Sequence, residues 1–386
     1  MGTSRALDAM NQQMPKNLLG LDLHELAAMV GAAQEPAYRA QQIFHALYSQ
    51  RVPSLDQATS LSKEFRAALG AAGVSVGMPS IQKRFLSSDG TVRYLIELSD
   101  SETVETVWMP EGDEGETGDG SEAGEELARG GSETPSRGWR RSTICVSSQV
   151  GCAVNCQFCL TALLGVKRNL TAGEIVGQVI AVLRDQNVSP PNDRVNLVFM
   201  GMGEPFLNFE NFIKAVRLLV AGVGIAESRM TVSTAGIVPR IYDLAAEPVR
   251  PKLAISLNAP NDALRTQIMP LNKKWDLEKL IAAAREFPLR NRERLTFEYV
   301  LLREINDSES HARELAQLIH GLKAKVNLIA LNPGPGIEFK TPEELRVLEF
   351  QKILTNAGVP AYIRRPRGRD IYAACGQLKR TVELAS

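Results

Sequence analysis

The chain has 386 residues, of which 44% are hydrophobic, and it carries 44 basic and 44 acidic side chains. This length exceeds what one ordinary core fills, so we expect one large domain and one smaller domain. No apolar run approaches the roughly 18 residues that a membrane-spanning helix needs, and residues 1–16 lack the apolar core of a signal peptide. These features argue against a membrane-spanning or secreted protein, and we expect a cytoplasmic one.

The net charge of zero is the sum of two unlike parts. Residues 111–128 contain eight acidic side chains and no basic one, so the rest of the chain has 44 basic against 36 acidic side chains. Later in the chain, Arg364, Arg365, Arg367 and Arg369 lie within six residues. Such a cluster can bind phosphate, although a solvated basic loop has the same pattern.

The first predicted region is helical. Apolar side chains recur at helical spacing over residues 17–70. Asp22 and Ser54 precede two of these runs, and both residue types cap the N-termini of helices. We assign residues 1–75 to a small helical accessory domain. Helix packing alone explains this pattern, so the pattern by itself indicates no partner.

Two segments of different character follow. Residues 76–110 are rich in β-forming side chains and predict a short antiparallel strand extension, with strands at 81–86, 92–98 and 104–109. Residues 111–138 consist mostly of Gly, Glu, Ser and Asp, and they cannot bury enough apolar surface to offset the entropy of ordering. We therefore predict a disordered acidic insertion over residues 111–141.

From residue 143 onward, strand patterns alternate with helical ones. The six predicted strands are 143–147, 195–200, 230–233, 252–257, 295–301 and 326–331. A capping box from Thr171 to Glu174 begins the first long helix, and Pro342 is expected in the first turn of a later one. Six β/α units predict an α/β fold over residues 142–386, a parallel sheet curled into a partial (β/α)6 barrel. Ligands of such folds bind at the carboxyl ends of the strands.

Three cysteines, Cys152, Cys156 and Cys159, follow the first of these strands in a C-x3-C-x2-C pattern. We call them the cysteine trio, because three thiolates on one loop can hold a metal centre at three corners. A structural zinc site needs a fourth Cys or His, and a ferredoxin adds a fourth cysteine nearby, but neither is present in this stretch. The trio therefore favours a [4Fe–4S] cluster with one iron open to a ligand, rather than three buried structural cysteines.

The trio, with Phe158 before its last cysteine, resembles the cluster motif of radical S-adenosylmethionine (SAM) enzymes. Residues 200–205 read Met-Gly-Met-Gly-Glu-Pro, which is similar to the glycine-rich stretch that contacts the SAM amino group in that superfamily. Further stretches resemble, in order, the RlmN/Cfr family of RNA adenosine methyltransferases: 145–152, 199–205, 232–236, 253–257, 297–301, 331–333 and 367–376. The helical region is also similar to the accessory domain of that family. The resemblance thus implies a radical SAM barrel.

The resemblance implies a radical methylation of adenine that uses two SAM molecules per turnover. The trio would hold the [4Fe–4S] cluster, whose open iron binds SAM. Cys375 would be methylated by one SAM, and the radical derived from the second would activate its S-methyl group. Cys145 would attack the Cys375 sulfur and release the methylated base, which leaves a disulfide between the two. Glu105 would accept the C2 proton, although its strand pattern alone predicts a solvent-facing residue.

SAM contacts carry over from the family by position: Gly203, Glu204, Ser233, Ser256, Leu257, Asn258 and Asn332. The family commonly has His where this chain has Asn258. Asn keeps the hydrogen bonds but cannot carry a proton as imidazole does, so the resemblance implies a positioning role there. The stretch after Cys159 is also more apolar than is usual in the family.

Three functions remain open at this point. The first is methylation of adenine C2 in 23S ribosomal RNA and in tRNA, and the second is methylation at C8, as in Cfr proteins. The third is an iron–sulfur electron carrier or redox sensor, which would give no role to Glu204 or Cys375. The helical accessory domain favours the first. The family further implies a flavodoxin- or ferredoxin-type electron donor and a monomeric enzyme, and the accessory domain and the arginine cluster are candidates for the RNA surface.

Overall fold

We describe the protein from a computed structural model, which covers residues 15–110, 141–374 and 376–378. Cys375 and the predicted acidic insertion, except for Arg141, lie outside these described residues. Among the helices within the described ranges, none combines the length and the apolar character needed to cross a membrane.

Short helices dominate the first part of the chain, and longer ones alternate with strands in the rest. The α-helices of the described residues are α1 (Leu23–Ala32), α2 (Tyr38–Phe44), α3 (Lys63–Ala71), α4 (Ala172–Asp185), α5 (Phe209–Leu218), α6 (Val238–Ala246), α7 (Asp262–Ile268), α8 (Leu277–Glu286), α9 (Glu309–Leu318) and α10 (Glu344–Asn356). Two π-helical segments, His45–Ser49 and Leu219–Val223, extend α2 and α5. Short 3₁₀ turns occupy Leu55–Gln57, Leu160–Leu164, Pro205–Asn208, Glu227–Arg229, Pro270–Lys273 and Arg369–Ile371.

Of the two predicted caps in the helical region, one is confirmed. Asp22 begins α1 with a capping box, because its Oδ1 accepts the Glu25 N–H at 2.8 Å while Glu25 Oε2 accepts the Asp22 N–H at 2.8 Å. The cap predicted at Ser54 is wrong, since Ser54 precedes only a three-residue 3₁₀ turn and its side chain makes no cap hydrogen bond there.

The helical region packs directly on the barrel. Gly20 has a φ of +100°, and a Cβ at this position would lie 2.6 Å from the backbone nitrogen of Gly173 in α4. Only glycine accommodates both the left-handed backbone and this approach. The Tyr48 hydroxyl accepts the Gly20 N–H at 2.9 Å and donates to the Leu21 carbonyl at 2.7 Å, which fixes this contact from the helical side.

Ten of the twelve strands of the described residues form one continuous sheet. The twelve strands are β1 (Ser80–Leu86), β2 (Val92–Glu97), β3 (Thr103–Pro110), β4 (Arg141–Cys145), β5 (Gln149–Gly151), β6 (Val166–Asn169), β7 (Arg194–Phe199), β8 (Met230–Thr234), β9 (Lys252–Ser256), β10 (Leu295–Leu301), β11 (Ala324–Ala330) and β12 (Ala361–Arg364). The order in the sheet is β1-β2-β3-β4-β7-β8-β9-β10-β11-β12, and β5 pairs with β6 separately. Neighbours from β1 to β4 are antiparallel, and neighbours from β4 to β12 are parallel. The predicted α/β class and the six predicted parallel strands are confirmed.

Three details differ from the prediction. The extension is not a separate sheet, because β3 pairs with β4 and thereby continues the barrel. A seventh parallel strand, β12, was missed because it has only four residues and runs into the arginine cluster. The helix expected to contain Pro342 begins at Glu344 instead, and the Thr341 hydroxyl donates to the Leu331 carbonyl at 2.9 Å. The domain boundaries themselves stay predictions.

The core lies between the parallel strands and the helices that cover them. Helix α4 begins at the predicted capping box, where the Thr171 hydroxyl accepts the Glu174 N–H at 3.1 Å, and most of its side chains are buried. Strands covered on both faces are expected to be apolar throughout. The buried polar side chains of the parallel strands are therefore the exceptions that point to a site, and they include Thr231, Thr234, Thr296, Glu298, Lys325 and Asn327.

Candidate active site

The cysteine trio lies on the loop between β5 and the 3₁₀ turn Leu160–Leu164. The loop is closed at its base, where the Cys152 N–H donates to the Gly165 carbonyl at 2.9 Å. All three cysteines pack against a small apolar cluster that contains Phe158. Burial, followed by the charge of the neighbouring thiolates, raises the pKa of Cys152 and of Cys156. Thiols in this setting become thiolates when a cationic centre binds them.

This donor set fits an iron–sulfur cluster better than a single ion. Within the described ranges, no group of three or more His, Cys, Asp or Glu side chains is arranged to hold one metal ion. A cubane cluster binds each thiolate at a different iron, so its three ligands need not converge on one point. The trio would hold such a cluster by three of its irons and leave the fourth iron open to a ligand.

A cavity of about 160 Å³ opens beside the trio at the carboxyl ends of the parallel strands. We call it the trio cavity, and six of the seven predicted SAM contacts line it: Gly203, Glu204, Ser233, Ser256, Asn258 and Asn332. The side chain of Leu257 does not, because it is fully buried in the main core. Its backbone N–H donates to the Glu298 carbonyl at 3.0 Å, so Leu257 supports the strand end without facing the cavity.

Gly203 and Glu204 tie the end of β7 to the strand that precedes the trio. Gly203 has a φ of +97°, and a Cβ there would lie 2.6 Å from the Gln149 Cβ, so the position requires glycine. The Glu204 N–H donates to Gln149 Oε1 at 2.9 Å. The Glu204 carboxylate accepts the Ala235 N–H at 2.7 Å and the Phe206 N–H at 3.0 Å. Burial raises the pKa of Glu204 to about 7, although these backbone donors act in the opposite direction.

Asn258 holds the turn that follows β9. Its φ is +60°, a left-handed conformation that Asn adopts more readily than most residues. Its Oδ1 accepts the Val300 N–H at 2.8 Å, and its Nδ2 lies 3.1 Å from Met269 Sδ. The Asn306 side chain donates to the Asn258 carbonyl at 2.8 Å. These contacts support the positioning role that the residue type implies.

A buried guanidinium joins the loops behind the trio cavity. Arg265, on α7, is fully buried and donates to the Leu257 carbonyl at 3.0 Å, the Ala235 carbonyl at 2.7 Å and Asn272 Oδ1 at 2.9 Å. Burial lowers the pKa of Arg265 to about 10, so the side chain remains charged at neutral pH. Nothing in the sequence distinguished Arg265 from the surface arginines.

Glu298 is a second charged residue of this cavity to which the sequence assigned no role. It lies in the middle of β10, lines the trio cavity and is only 5% exposed. Its Oε1 accepts the Asn327 side-chain N–H at 2.9 Å. A carboxylate inside the mostly apolar run Leu295–Leu301 was the sequence signal that could have revealed it.

A second cavity, of about 110 Å³, contains Cys145, which ends β4. We call it the Cys145 cavity. Its walls come from β3, from β4 and from residues 364–378. Seven residues line both cavities: Cys159, Thr161, Met200, Gly201, Ile329, Asn332 and Gly376. The two cavities are therefore adjacent chambers of one site.

Glu105 lies on the side of the sheet that faces the Cys145 cavity. Val107 and Met109 line this cavity, and Glu105 shares their face because alternate strand residues point the same way. Val107 on β3 pairs with Cys145 on β4 and with Arg93 on β2. Glu105 lies two residues before Val107 on the same strand, so it is a diagonal neighbour of Cys145. Glu105 and Arg93 are both fully buried and form an ion pair. The solvent-facing position expected from the strand pattern is wrong, because β3 is an inner strand of the larger sheet.

Residues 364–374 and 376–378, which we call the C-terminal strap, begin at the end of β12, and their first part crosses to the β1–β2 turn. Arg367 Nη2 donates to the Pro110 carbonyl at 2.5 Å, and the Gly368 N–H donates to Asp89 Oδ2 at 2.9 Å. Asp370 Oδ1 accepts the Ser87 hydroxyl at 2.6 Å. These bonds anchor the strap on the strand extension before it reaches the site.

The strap is anchored again after position 375, on the turn that follows the trio. The Leu160 N–H donates to the Gly376 carbonyl at 2.8 Å, and the Thr161 hydroxyl donates to the Leu378 carbonyl at 2.6 Å. Cys375 itself is not among the described residues, but its neighbours Ala374 and Gly376 line the Cys145 cavity. The described parts of the strap thus link the strand extension to the trio loop.

Comparisons with known proteins cover nearly the whole chain. Residues 146–316 match the model of the radical SAM superfamily, and residues 16–73 match that of the ribosomal RNA large subunit methyltransferase N-terminal domain. The chain is 64% identical over 347 residues to the probable dual-specificity RNA methyltransferase RlmN of Koribacter versatilis. This alignment covers 90% of this chain and 97% of the relative. The dual-specificity RNA methyltransferase RlmN of Syntrophobacter fumaroxidans is 44% identical, with 92% and 96% covered. A solved radical SAM methyltransferase from Sphaerobacter thermophilus superimposes with a TM-score of 0.83 at 41% identity, covering 95% of this chain and 100% of that one.

These matches agree with the architecture and with the two chambers. The superfamily model includes the trio loop and the strand ends from β7 to β10, and the N-terminal model includes the predicted helical region. The predicted family, the enzyme class and the predicted cofactors are confirmed. The chain belongs to the RlmN family of radical SAM RNA methyltransferases, which use a [4Fe–4S] cluster and SAM.

Proposed function

We propose that this enzyme methylates C2 of an adenosine in 23S ribosomal RNA and in tRNA. The observation that carries the proposal is the wall shared by the trio cavity and the Cys145 cavity, because it puts a sulfur nucleophile beside the radical source. The relatives named as dual-specificity RNA methyltransferases support two classes of RNA substrate. Adenine C2 is electron-poor and bears no acidic proton, so a radical addition is more favourable there than a polar methyl transfer.

The cysteines have separate roles in the proposal. The cluster and SAM, when bound at the trio, supply the 5′-deoxyadenosyl radical. Cys375 would carry the methyl group as a thioether, and loss of one hydrogen atom from this group to the SAM-derived radical would let its carbon bond to adenine C2. The adduct would then give up one electron and, to Glu105, the C2 proton. Attack of Cys145 on the Cys375 sulfur would break the bond between sulfur and the transferred carbon, which takes up a proton, and would leave a disulfide for a reductant to reopen. The position of Cys145 on a cavity lined by Ala374 and Gly376 supports this pairing.

Glu105 is the base that removes the C2 proton in this scheme. A general base must be held in place close to the reacting group. The ion pair with Arg93 and the complete burial of both side chains fix the Glu105 carboxylate. Its diagonal position relative to Cys145 puts it on the face of the sheet where the adenine ring would lie.

The RNA reaches the site from the side of the strap and the helical region. Arg365 and Arg369 are exposed, Arg367 bonds to Pro110, and Arg364 lies beside Glu298; an exposed arginine can bind phosphate. An adenine of folded RNA must leave its stack to enter a cavity of this size. In this proposal the enzyme acts as a monomer and receives electrons from a flavodoxin- or ferredoxin-type donor.

Mass spectrometry of nucleosides tests the proposal. Ribosomal RNA and tRNA are compared between a strain with the gene and a strain without it. Loss of 2-methyladenosine from both RNAs is the expected result. Loss of 8-methyladenosine instead would show that the reaction is at C8, and unchanged RNA would refute both reactions.

A further inference from the structure

A row of polar side chains crosses the inner face of the barrel below the strand ends. Glu298 on β10 lies opposite Ser256 on β9 and opposite Asn327 on β11. The Ser256 hydroxyl in turn lies 3.2 Å from the Ser233 hydroxyl on β8. The row thus spans four neighbouring strands, and Glu298 is its one carboxylate. The predicted SAM contacts include both serines, but they leave Glu298 without a role.

The carboxylate of Glu298 is buried and incompletely used by its protein partners. Its side chain is only 7% exposed, and a buried carboxylate needs hydrogen-bond donors to be stable. Asn327 donates to Oε1 at 2.9 Å, while Arg364 Nη1 lies 3.6 Å from Oε2, which is longer than a hydrogen bond. An ionised carboxylate accepts about four hydrogen bonds. Glu298 therefore retains acceptor capacity on a wall of the trio cavity.

SAM contains few groups that can donate to this carboxylate. The open iron and the Gly203–Glu204 stretch would take its ammonium group, as the family resemblance implies, so the ribose hydroxyls and the adenine amino group would remain for Glu298. The side chains of Val300, Ile329 and Leu331 line the cavity near Glu298 and provide apolar contact for an adenine ring. Carboxylates of nucleotide-binding folds accept hydrogen bonds from ribose hydroxyls, and the two oxygens of a carboxylate match a vicinal diol.

We infer that Glu298 accepts the ribose hydroxyls of SAM and is a specificity residue of the trio cavity. Asn327 and Arg364 support Glu298. Asn327 donates to Oε1, and the positive charge of Arg364 offsets the charge of the Glu298 carboxylate from a distance that leaves Oε2 open to the ligand. The site would thereby reject nucleoside ligands that lack the hydroxyls, because such a ligand leaves a buried carboxylate unsatisfied. The inference rests on SAM as the ligand of this cavity and does not depend on which adenine carbon is methylated.

The test is a binding cycle with the full-length protein carrying its reconstituted cluster under anaerobic conditions. Affinities are measured by equilibrium dialysis for SAM and for its 2′,3′-dideoxy analogue, with the wild type and with Glu298→Gln. Gln keeps an oxygen for the Asn327 donor, so the local packing is retained. Glu304→Gln removes an exposed negative charge whose side chain is 84% accessible, and it is the matched control.

The wild type and Glu304→Gln should bind SAM about tenfold to a hundredfold more tightly than the dideoxy analogue, as expected for hydrogen bonds to a charged group. In Glu298→Gln this preference should shrink to about threefold or less. If Glu298→Gln lowered the affinities for SAM and for the dideoxy analogue by the same factor, Glu298 would only support Arg364, and the inference would be overturned. A wild type without preference for the hydroxyls would overturn it even if the variant did not fold. Failure of the wild type to bind SAM at all would instead refute the assignment of the trio cavity to SAM.

Discussion

The two chambers of the site are built in different ways. The trio cavity is lined mainly by the trio loop and by residues in or just after successive parallel strands, so most of its walls are a direct result of the barrel. The Cys145 cavity combines β3 and β4 with the C-terminal strap, which is anchored by side-chain hydrogen bonds between residues more than 250 positions apart. The barrel therefore provides most of the trio cavity, while a small set of long-range bonds completes the Cys145 cavity.

The largest expected effects distinguish the chambers by their chemistry. Cys156→Ala removes a cluster ligand, so iron, labile sulfide and methylation should all be lost.

Cys375→Ala should retain iron but abolish methylation, because the methyl carrier is absent. Cys145→Ala should also retain iron and should leave RNA covalently attached to the protein through Cys375. Iron analysis and denaturing gels of RNA–protein adducts measure these outcomes, and normal release of methylated RNA by Cys145→Ala would contradict the resolving role.

A smaller effect is expected where Arg265 joins the loops of the trio cavity. Arg265→Met removes the side-chain donors to the carbonyls of Leu257 and Ala235, and the Leu257 carbonyl keeps only the Ala259 N–H at 2.8 Å. We expect a loss of about 3 kcal/mol in the free energy of unfolding, together with weaker SAM binding. Urea unfolding measures the first quantity. Arg313→Met, at an exposed ion pair with Glu309, is the control and should change stability by less than about 0.5 kcal/mol; equal losses in both variants would contradict the structural role of Arg265.

The anchoring of the strap can be weakened without touching either chamber. Ser87→Ala removes the hydroxyl that donates to the Asp370 carboxylate. Ser88→Ala is the control, because Ser88 donates to the same carboxylate through its backbone N–H, at 3.1 Å, and the substitution keeps that bond. Loss of this bond and of the weaker bond that the Ser87 hydroxyl accepts from the Asp89 N–H at 3.4 Å, together about 1 kcal/mol, should slow methylation about fivefold. Iron content and SAM affinity should stay at wild-type values in both variants. If Ser87→Ala methylates RNA as fast as Ser88→Ala, this bond does not contribute to the arrangement of the Cys145 cavity.

The smallest effect is expected from the acidic insertion. Deletion of residues 112–136 removes many acidic side chains but almost no large apolar ones. Methylation of ribosomal RNA and of tRNA should therefore remain within about twofold of the wild type, since little apolar burial is lost. Parallel rate measurements on both RNAs check this. A large loss with either RNA would show that the segment takes part in the site or in substrate binding.

The contrast between the chambers also explains what the sequence could reveal. Six of the seven parallel strands were predicted from local patterns. Six of the seven SAM contacts that the family resemblance predicts line the trio cavity, in agreement with the rule that ligands bind at strand ends. The burial of Glu105 depends on β3 pairing with β4, which lies beyond the long acidic segment. The burial of Arg265 and the anchors of the strap depend on tertiary contacts, which have no local pattern.

The strap also determines when this enzyme can become active during its synthesis. The bond between Asp89 and Gly368 joins residues 279 positions apart. The strand extension and the barrel can fold while the chain is still being made, but this bond can form only after residue 368 has left the ribosome. A nascent chain can thus acquire most walls of the trio cavity before the strap can close the Cys145 cavity. Translation itself therefore sets the order in which the two cavities are completed.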